Sequence, residues 1–436
     1  MSTNTASFRE QVETAIAFNK SPLAFLQKNA KNNLGYSKFK VGPVNFIHVF
    51  SPSIVKHILQ TNSINYGRSK ENDAAKALIG KGVAVLEGES WMRQRKLIQP
   101  LFHKQYIAEF SKNIVACTKE LLSRWGGEQS GVLDLYAEMT SLSLHSICRT
   151  LFGTGIEKQL PEIDRLVSKL IGLSKSMQQV LTPTSANETS PVKDCNELLR
   201  KIVADIISSK ENSGSAELTL LNMLQQTEDA DTKEKMTEEQ LIDETVTLLL
   251  SGHATTAGSL TFALHLLFSH SSVYENFFEE VKRLNGQPPT HEDLRKLPYT
   301  LQIINETLRL YPPLWNLTRE ALNDEEIEGL QVHAGNTILI SPYVLHNSPR
   351  FWENPELFYP ERFNNPELIS KGVFFPFGKG PRMCIGSSFA LMNLTISIVT
   401  IAQKFKLKII NPARPELEEL IVLQPKGSIP VELIKL

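Results

Sequence analysis

The sequence predicts a mainly α-helical chain with a smaller share of short β-strands, and three observations support this fold class. Long segments between about residues 88 and 310 carry apolar residues at helical spacing. Residues 238–269 contain no proline and are apolar on nearly every side, which predicts a buried helix of roughly 30 residues, or about 45 Å. Short apolar segments bounded by turn residues occur near both ends of the chain and predict strands.

Composition narrows the class of protein. A chain of 436 residues predicts two or three domains from length alone. A net charge of -1 gives no basic excess for nucleic-acid binding. The four cysteines lack metal or disulfide spacing, which favours a reducing cytoplasm. The polar N-terminus is neither a signal peptide nor a membrane anchor, and no stretch reaches ~18 apolar residues. We therefore expect a soluble, cytoplasmic protein.

The first elements are small. Segments YSKFKV and NFIHVF flank Gly42-Pro43 and predict a hairpin over residues 36–50. Residues 51–61 predict a short helix, with Ser51 as its cap and proline in its first position. Residues 66–86 predict a connecting loop.

Helices are predicted over most of the following region. In GESWMRQRKLIQPLF, Trp91 and Arg95 are four residues apart and share a helical face. An indole N–H and a guanidinium both only donate, so the pair suits a carboxylate, although a packing tryptophan beside an exposed arginine is the commoner explanation. Residues 104–156 predict two amphipathic helices, and residues 160–212 predict two more around the polar break LTPTSANETSP. The charged tract at 225–240 predicts a surface loop.

The long apolar helix is interrupted by SGHATTAG, which includes Ser251, Gly252 and Thr255. A glycine inside a helix costs about 1 kcal/mol against alanine. A threonine can bond back to an upstream carbonyl and bend the helix. Such a local violation is typical of a functional site. A notch for helix packing is the alternative.

The next helix, within PYTLQIINETLRLYPP, places Glu306 and Arg309 three residues apart, where they can pair. An exposed pair would contribute only ~0–1 kcal/mol. The segments IEGLQV, NTILIS and YVLHNS predict short strands, as do KLKII, EELIVL and IPVELIKL after the last helix.

The stretch FFPFGKGPRMCIG, from Phe374 to Gly386, contains a single cysteine, Cys384. Its glycines permit backbone conformations closed to other residues and its prolines restrict the chain, so it predicts a tight loop around a thiolate. An apolar helix follows, and its N-terminal dipole favours a negative sulfur. Arg382 is a cation suited to a carboxylate. The alternative is a buried structural cysteine.

The signature F-G-x-G-x-R-x-C-x-G is filled by Phe377, Gly378, Gly380, Arg382, Cys384 and Gly386. Through it the chain resembles the cytochromes P-450, in which the cysteine is the thiolate ligand of a haem iron. The resemblance extends from the first hairpin to the C-terminal strands. It implies a single domain over residues 1–436, mainly α with a small β-rich lobe in a triangular α+β fold. This replaces the domain count expected from length.

The resemblance also implies roles for matching residues around a haem b cofactor. The positions that would hold the haem propionates are Trp91, Arg95, Arg319 and Arg382. The positions of a buried triad that would lock the haem-side scaffold are Glu306, Arg309 and Arg362.

The middle of the long helix matches the pattern [A/G]-G-x-[D/E]-T at Gly252 and Thr255. In the family this glycine opens a groove for dioxygen, and the threonine hydroxyl helps to deliver protons. The chain departs from the pattern at Ser251 and at Ala254, where a carboxylate is usual. We expect protons to arrive through Thr255 and ordered water, with help from Ser251 or His253. A reaction that needs less proton delivery is the alternative.

The resemblance thus implies a haem-thiolate monooxygenase that inserts one atom of dioxygen into a lipophilic small molecule, of natural-product or lipid-like type. Residues 66–86, the helix pair of residues 160–212 and Leu314–Thr318 would shape the pocket. The sequence contains no Gly-rich flavin or nicotinamide motif, so we expect a separate ferredoxin or flavodoxin-type electron donor, with Lys379 near its docking face, and a monomeric enzyme. The alternatives are a cytochrome P-450 that catalyses oxidative coupling, desaturation or peroxygenation, and a haem gas sensor or carrier.

Overall fold

The structure is a computed structural model that describes residues 8–33, 35–69, 76, 79–127, 131–178, 190–213 and 217–436. Its helices are α1 (Phe8–Lys20), α2 (Pro22–Asn32), α3 (Pro52–Lys56), α4 (Gly88–Ile98), α5 (Lys104–Gly127), α6 (Leu135–Phe152), α7 (Leu160–Gln178), α8 (Ser190–Ser213), α9 (Leu220–Gln226), α10 (Glu238–Ser269), α11 (Ser271–Val281), α12 (Pro298–Leu310), α13 (Pro342–His346), α14 (Glu367–Ser370) and α15 (Ser387–Ala402). Its strands are β1 (Tyr36–Val41), β2 (Val44–Val49), β3 (Tyr66–Gly67), β4 (Val132–Asp134), β5 (Leu317–Ala321), β6 (Glu325–Ile327), β7 (Leu330–Val332), β8 (Thr337–Ile340), β9 (Phe405–Ile409), β10 (Leu417–Glu419), β11 (Leu423–Pro425) and β12 (Pro430–Lys435). The chain is mainly helical with small sheets, so the predicted fold class is confirmed.

Helix α10, here called the central helix, spans 32 residues and has the predicted bounds. A capping box starts it: the Thr237 hydroxyl accepts from the Gln240 N–H at 3.2 Å, and the Gln240 side chain accepts from the Thr237 N–H at 3.0 Å. Most of its residues are buried, because α6, α8, α12 and α15 pack around it.

Two apolar clusters meet along the central helix. One packs its C-terminal half against α1, α2 and the largest sheet. The other packs its N-terminal half against α6, α7, α8 and α9. Residues 251–258, the polar interruption of the sequence, therefore lie where the two clusters join.

The largest sheet has the strand order β1-β2-β8-β5-β3. The predicted hairpin forms its edge, with Tyr36 opposite Val49 and Val41 opposite Val44. Gly42 in the turn has a φ of 57°, a left-handed conformation that favours glycine. Strand β8 pairs with β2 in parallel and with β5 antiparallel, which carries Arg319 into the sheet.

The predicted strand at YVLHNS is wrong, because this segment begins the short helix α13. Pro342 occupies the first helical position, and the Ser341 hydroxyl accepts from the Val344 N–H at 3.3 Å. This is a cap-and-proline signal for a helix start, which overrides the apolar alternation. Strands β3, β4 and β5 were not predicted. The segments IEGLQV and EELIVL, each predicted as a strand, instead contain the turn between two antiparallel strands, β6 and β7 in the first and β10 and β11 in the second. Ser51 lies at the predicted cap of α3, but its side chain makes no capping bond.

Two predicted features fall partly outside the described residues. The polar break between α7 and α8 lies mostly within residues 179–189, and part of the 66–86 segment lies within residues 70–78. Among the helices of the described ranges, none is long and apolar enough to cross a membrane.

Candidate active site

The cysteine loop, residues 374–386, is folded by its own backbone. The N–H of Cys384 donates to the carbonyl of Phe377 at 2.9 Å, and the N–H of Gly378 donates to Phe375 at 2.9 Å. Gly378 and Gly380 have φ values of 74° and 73°. These left-handed conformations favour glycine, so the predicted tight loop forms for the reason the sequence indicated.

Gly380 is also required by close packing. A Cβ at this position would lie 1.8 Å from the carbonyl oxygen of Leu59, which no real side chain could occupy. Leu59 belongs to the short π-helical turn after α3. The cysteine loop is thus placed directly on that turn.

The thiol of Cys384 is accessible to solvent, although protein atoms surround it closely. Burial raises its pKa, while the N–H of Gly386 and the Arg95 guanidinium oppose the rise. Both opposing groups favour the thiolate. The loop leads directly into α15, which packs against the central helix. An accessible sulfur with a backbone donor and a nearby cation is suited to ligating a metal.

Helix α4 contacts the loop through the predicted pair. Arg95 donates from Nη1 to the carbonyl of Met383 at 2.9 Å. The guanidinium of Arg382 lies over the ring of Trp91, 4.4 Å from its centre, and donates to the carbonyl of Leu86 at 2.9 Å. The predicted residues Trp91, Arg95 and Arg382 therefore lie together beside Cys384.

A cluster of guanidinium groups lies next to them. Arg68, Arg319 and Arg382 are close enough to repel one another, and burial together with this repulsion lowers the pKa of Arg68 and of Arg319 to about 10. Glu87 is the carboxylate that opposes the shift. Nε of Arg68 is buried and has no hydrogen-bond partner among the residues that the structure describes. Three partly buried cations beside one anion would be stabilised by a further negative group.

Arg68 was not predicted from the sequence. It follows β3 in a segment without a motif, and its partners lie some 250 and 310 residues further along the chain (at 319 and 382). No local pattern could have indicated its role.

The donor set fits a haem. The cluster of three arginines fits an anionic edge with two carboxylates, and Arg68 retains an unused buried donor. Cys384 offers an accessible sulfur for the iron.

The middle of the central helix carries polar side chains, although most of the helix is apolar and buried. The Thr255 hydroxyl donates to the carbonyl of Ser251 at 2.8 Å, the back-bonding expected for a threonine here. Ser251 is exposed, although the helix is mostly buried, and Thr255 is half-buried. Both therefore border interior space that solvent can reach.

Gly252 and His253 face elsewhere. A Cβ on Gly252 would lie 3.0 Å from Cδ1 of Ile147 in α6, so the missing side chain gives the close helix packing named as the alternative. This packing does not test a role in a dioxygen groove. His253 is fully buried, and burial lowers its pKa to about 4. A histidine that is neutral at physiological pH is a poor proton donor there.

The triad of Glu306, Arg309 and Arg362 is formed and buried. Glu306 accepts from Arg309 Nε at 2.7 Å and from Arg362 Nε at 2.9 Å, and its side chain is 0% exposed. The N–H of Tyr359 adds a bond of 3.0 Å to the same carboxylate. The sequence left open that Glu306 and Arg309 form an exposed, weakly stabilising ion pair. The pair is buried instead.

A buried histidine joins the triad to the cysteine loop. Arg309 Nη1 donates to the carbonyl of His346 at 2.8 Å. Nε2 of His346 accepts from the N–H of Phe375 at 3.0 Å, which assigns the ring proton to Nδ1. Burial lowers the pKa of His346 to about 3, so the ring stays neutral and keeps this acceptor. The triad thus fixes the start of the loop.

Lys379 does not lie as a free surface cation. Its ammonium donates to the carbonyl of Gly372 at 2.9 Å and lies over the ring of Phe375. It stabilises the loop from within. Among the described residues, no group of three or more His, Cys, Asp or Glu side chains could hold a metal ion.

Comparisons with known proteins show which family and which fold the chain shares. Residues 12–431 match the family model described as Cytochrome P450. The chain is 32% identical over 380 residues to the cyclooctat-9-en-7-ol 5-monooxygenase of Streptomyces melanosporofaciens, covering 85% of this chain and 82% of that protein. It is 28% identical to the carotene epsilon-monooxygenase of Arabidopsis thaliana, covering 86% and 74%. The crystal structure of the cytochrome P450DA haem domain has the same fold, with a TM-score of 0.87 at 21% identity over 97% of this chain and 95% of that one.

Proposed function

The chain belongs to the cytochrome P450 family and is a monooxygenase, and we propose that it inserts one atom of dioxygen into a lipophilic small molecule at the Cys384 site. The observation that carries this proposal is the exposed residue Cys384, which lies in a tight loop beside a cluster of partly buried guanidinium groups.

The cofactor of the family is haem, and we propose haem b for this chain. Cys384 would ligate the iron, and Arg68, Arg95, Arg319 and Arg382 would hold the carboxylates together with Trp91. Haem bound to a thiolate supplies the activation of dioxygen. The chain itself orients the cofactor, excludes bulk water and moves protons.

For proton delivery we propose Thr255, with Ser251 beside it and Gly252 one residue away. The Thr255 hydroxyl already donates to the Ser251 carbonyl at 2.8 Å, so its oxygen is left to accept a hydrogen bond from an ordered water. Ala254 cannot supply an acid, and ordered water would replace it.

The substrate proposal rests on relatives and on apolar composition. Two relatives are named for cyclooctat-9-en-7-ol and for carotene, both largely hydrocarbon. Val83 and Leu248 lie in the apolar cluster on the N-terminal side of the polar interruption. A spectral binding screen should begin with terpenoids and then test polyketides and fatty acids.

We further propose that residues 1–436 form one domain, that the enzyme is monomeric and cytoplasmic, and that a ferredoxin or flavodoxin-type protein supplies electrons. The free state of all four cysteines fits a reducing compartment.

The test of the site compares the purified protein with Cys384→Ser. We expect the reduced, CO-treated protein to have the absorption spectrum of a haem thiolate, and the variant to lose it. Consumption of reductant with a generic redox partner should then depend on the substrate, which a gas sensor or carrier would not do. A variant that binds haem with the spectrum of the parent would overturn the assignment of Cys384.

A second candidate is peroxygenation or another oxidation with little demand for protons, including coupling and desaturation. Ala254, in the place of the usual acid, favours it. Hydrogen peroxide should then support turnover without a redox partner. If Ala254→Glu leaves turnover, peroxide release and the solvent isotope effect unchanged, the missing acid does not shape the chemistry.

A further inference from the structure

Three residues of the central helix bind the backbone of residues 79–83. The N–H of Lys81 donates to Oδ1 of Asp243 at 3.2 Å, and the N–H of Val83 donates to Oε1 of Glu244 at 2.6 Å. The Thr247 hydroxyl donates to the carbonyl of Ile79 at 2.8 Å. Positions 243 and 247 lie on one helical face, so the bonds form a continuous line along the helix.

Glycine permits this close approach. A Cβ on Gly82 would lie 2.2 Å from the Thr247 hydroxyl, and one on Gly80 would lie 2.8 Å from Oδ1 of Asp243. Gly80 also has a φ of 75°. Residues 79–83 therefore lie directly on the central helix, and the side-chain bonds are short because nothing separates the two.

Helix α8 reaches the same carboxylate. Nη1 of Arg200 pairs with Oδ1 of Asp243, the atom that also accepts from Lys81. The Asp243 side chain is 7% exposed and that of Arg200 is 26% exposed, so the pair is shielded from water. A Cβ on Gly80 would lie 3.4 Å from Nη1 of Arg200, which places α8 and residues 79–83 in direct contact at this point.

We propose that Asp243 is a positioning residue that couples α8 to residues 79–87. Both segments belong to regions expected to shape the substrate pocket, and the coupling makes them move away from the central helix together. This inference rests on the proposed function, because it concerns the entry and release of a ligand at the site. One oxygen atom serves both elements. If α8 moves away, the buried carboxylate loses the cation that fixes its position, and it turns toward water and away from the Lys81 N–H.

The coupling can be measured without turnover. In the haem-loaded protein, hydrogen exchange followed by mass spectrometry should show that Arg200→Gln speeds exchange in peptides covering residues 79–87 by about fivefold, although residue 200 lies in another element. Arg200→Lys keeps the cation and should restore most of the protection. Lys201→Gln, an exposed neighbour on α8, is the matched control and should match the parent.

Ligand release gives a second readout. The rate at which 4-phenylimidazole leaves the haem-loaded protein should rise by about fivefold in Arg200→Gln and in Asp243→Asn. The double variant should release it no faster than either single variant, because both remove the same link. Asp243→Asn keeps an acceptor for Lys81 and loses only the charge pair.

The proposal is overturned if Arg200→Gln speeds exchange within α8 alone, or if the two rate changes multiply in the double variant. Should Asp243→Asn fail to fold, the comparison of Arg200→Gln with Arg200→Lys decides the question by itself. Loss of the haem-thiolate spectrum in Cys384→Ser tests the proposed function separately, because none of these residues contacts Cys384 in the described structure.

Discussion

Replacing Glu244 by glutamine should remove a pH dependence of stability that has the opposite sign to that of most carboxyl groups. The side chain is fully buried, and one oxygen accepts from the Val83 N–H at 2.6 Å. The other oxygen has no hydrogen-bond partner in the described part of the chain. Burial raises the pKa of Glu244 to about 8, opposed by the Gln94 side chain and the Val83 N–H, and the Asp243 carboxylate adds to the rise.

The sign follows from proton counting. The unfolded chain releases this proton near the ordinary value of 4.5, whereas the folded chain keeps it until about pH 8. Between these values the folded state holds one more proton, so stability falls as pH rises. The slope is about 1.4 kcal/mol per pH unit, hence about 3 kcal/mol between pH 5.5 and 7.5. For a chain of this length, 1 kcal/mol corresponds to about 1 °C in Tm.

The assay is thermal unfolding of the parent and of Glu244→Gln at pH 5.5, 6.5 and 7.5. The Tm of the variant should rise relative to the parent by about 3 °C across this range, because glutamine does not titrate. Glu239→Gln changes an exposed residue of the same helix and should follow the parent in parallel. Parallel curves for Glu244→Gln as well would refute the assignment of a protonated, buried carboxyl group.

Three further predictions concern the site and its support. The Arg68→Gln variant should lose haem to apomyoglobin about tenfold faster than the parent, because the substitution removes a charged donor for a haem carboxylate. An unchanged rate of transfer would show that Arg68 does not hold a haem carboxylate. Gly380→Ala should lower both haem content and Tm, since its Cβ would meet the Leu59 carbonyl at 1.8 Å. Gly126→Ala serves as the control, because its Cβ would meet no described residue within 4 Å. Glu306→Gln should lower the free energy of unfolding by about 3–5 kcal/mol, because it leaves two buried arginines without their anion. The yield of folded protein and its Tm measure this loss, and a Tm close to that of the parent would contradict the prediction.

Elements specified by local sequence were predicted well. The bounds of the central helix follow from a long, mostly apolar segment without proline, and the structure adds that Thr237 caps its start. The cysteine loop follows from glycines whose positive φ values are local requirements. The hairpin follows from Gly42-Pro43 between two alternating segments.

Two features that depend on distant residues, and that match no family motif, were not predicted. Arg68 gains its meaning from Arg319 and Arg382, which are remote in sequence. The role of His346 depends on bonds to Arg309 and to Phe375 on different elements. No periodicity encodes such contacts, because each forms only after the helices and the sheet have packed.

The link from Glu306 through Arg309 and His346 to Phe375 has a consequence for protein engineering. Chimaeras with related enzymes should inherit residues 306–375 from one parent, since a crossover inside this block would pair a foreign loop with a mismatched anchor. Recombination outside the block leaves the loop that holds Cys384 intact. If α7 and α8 shape the pocket as expected, exchanging them should change ligand preference.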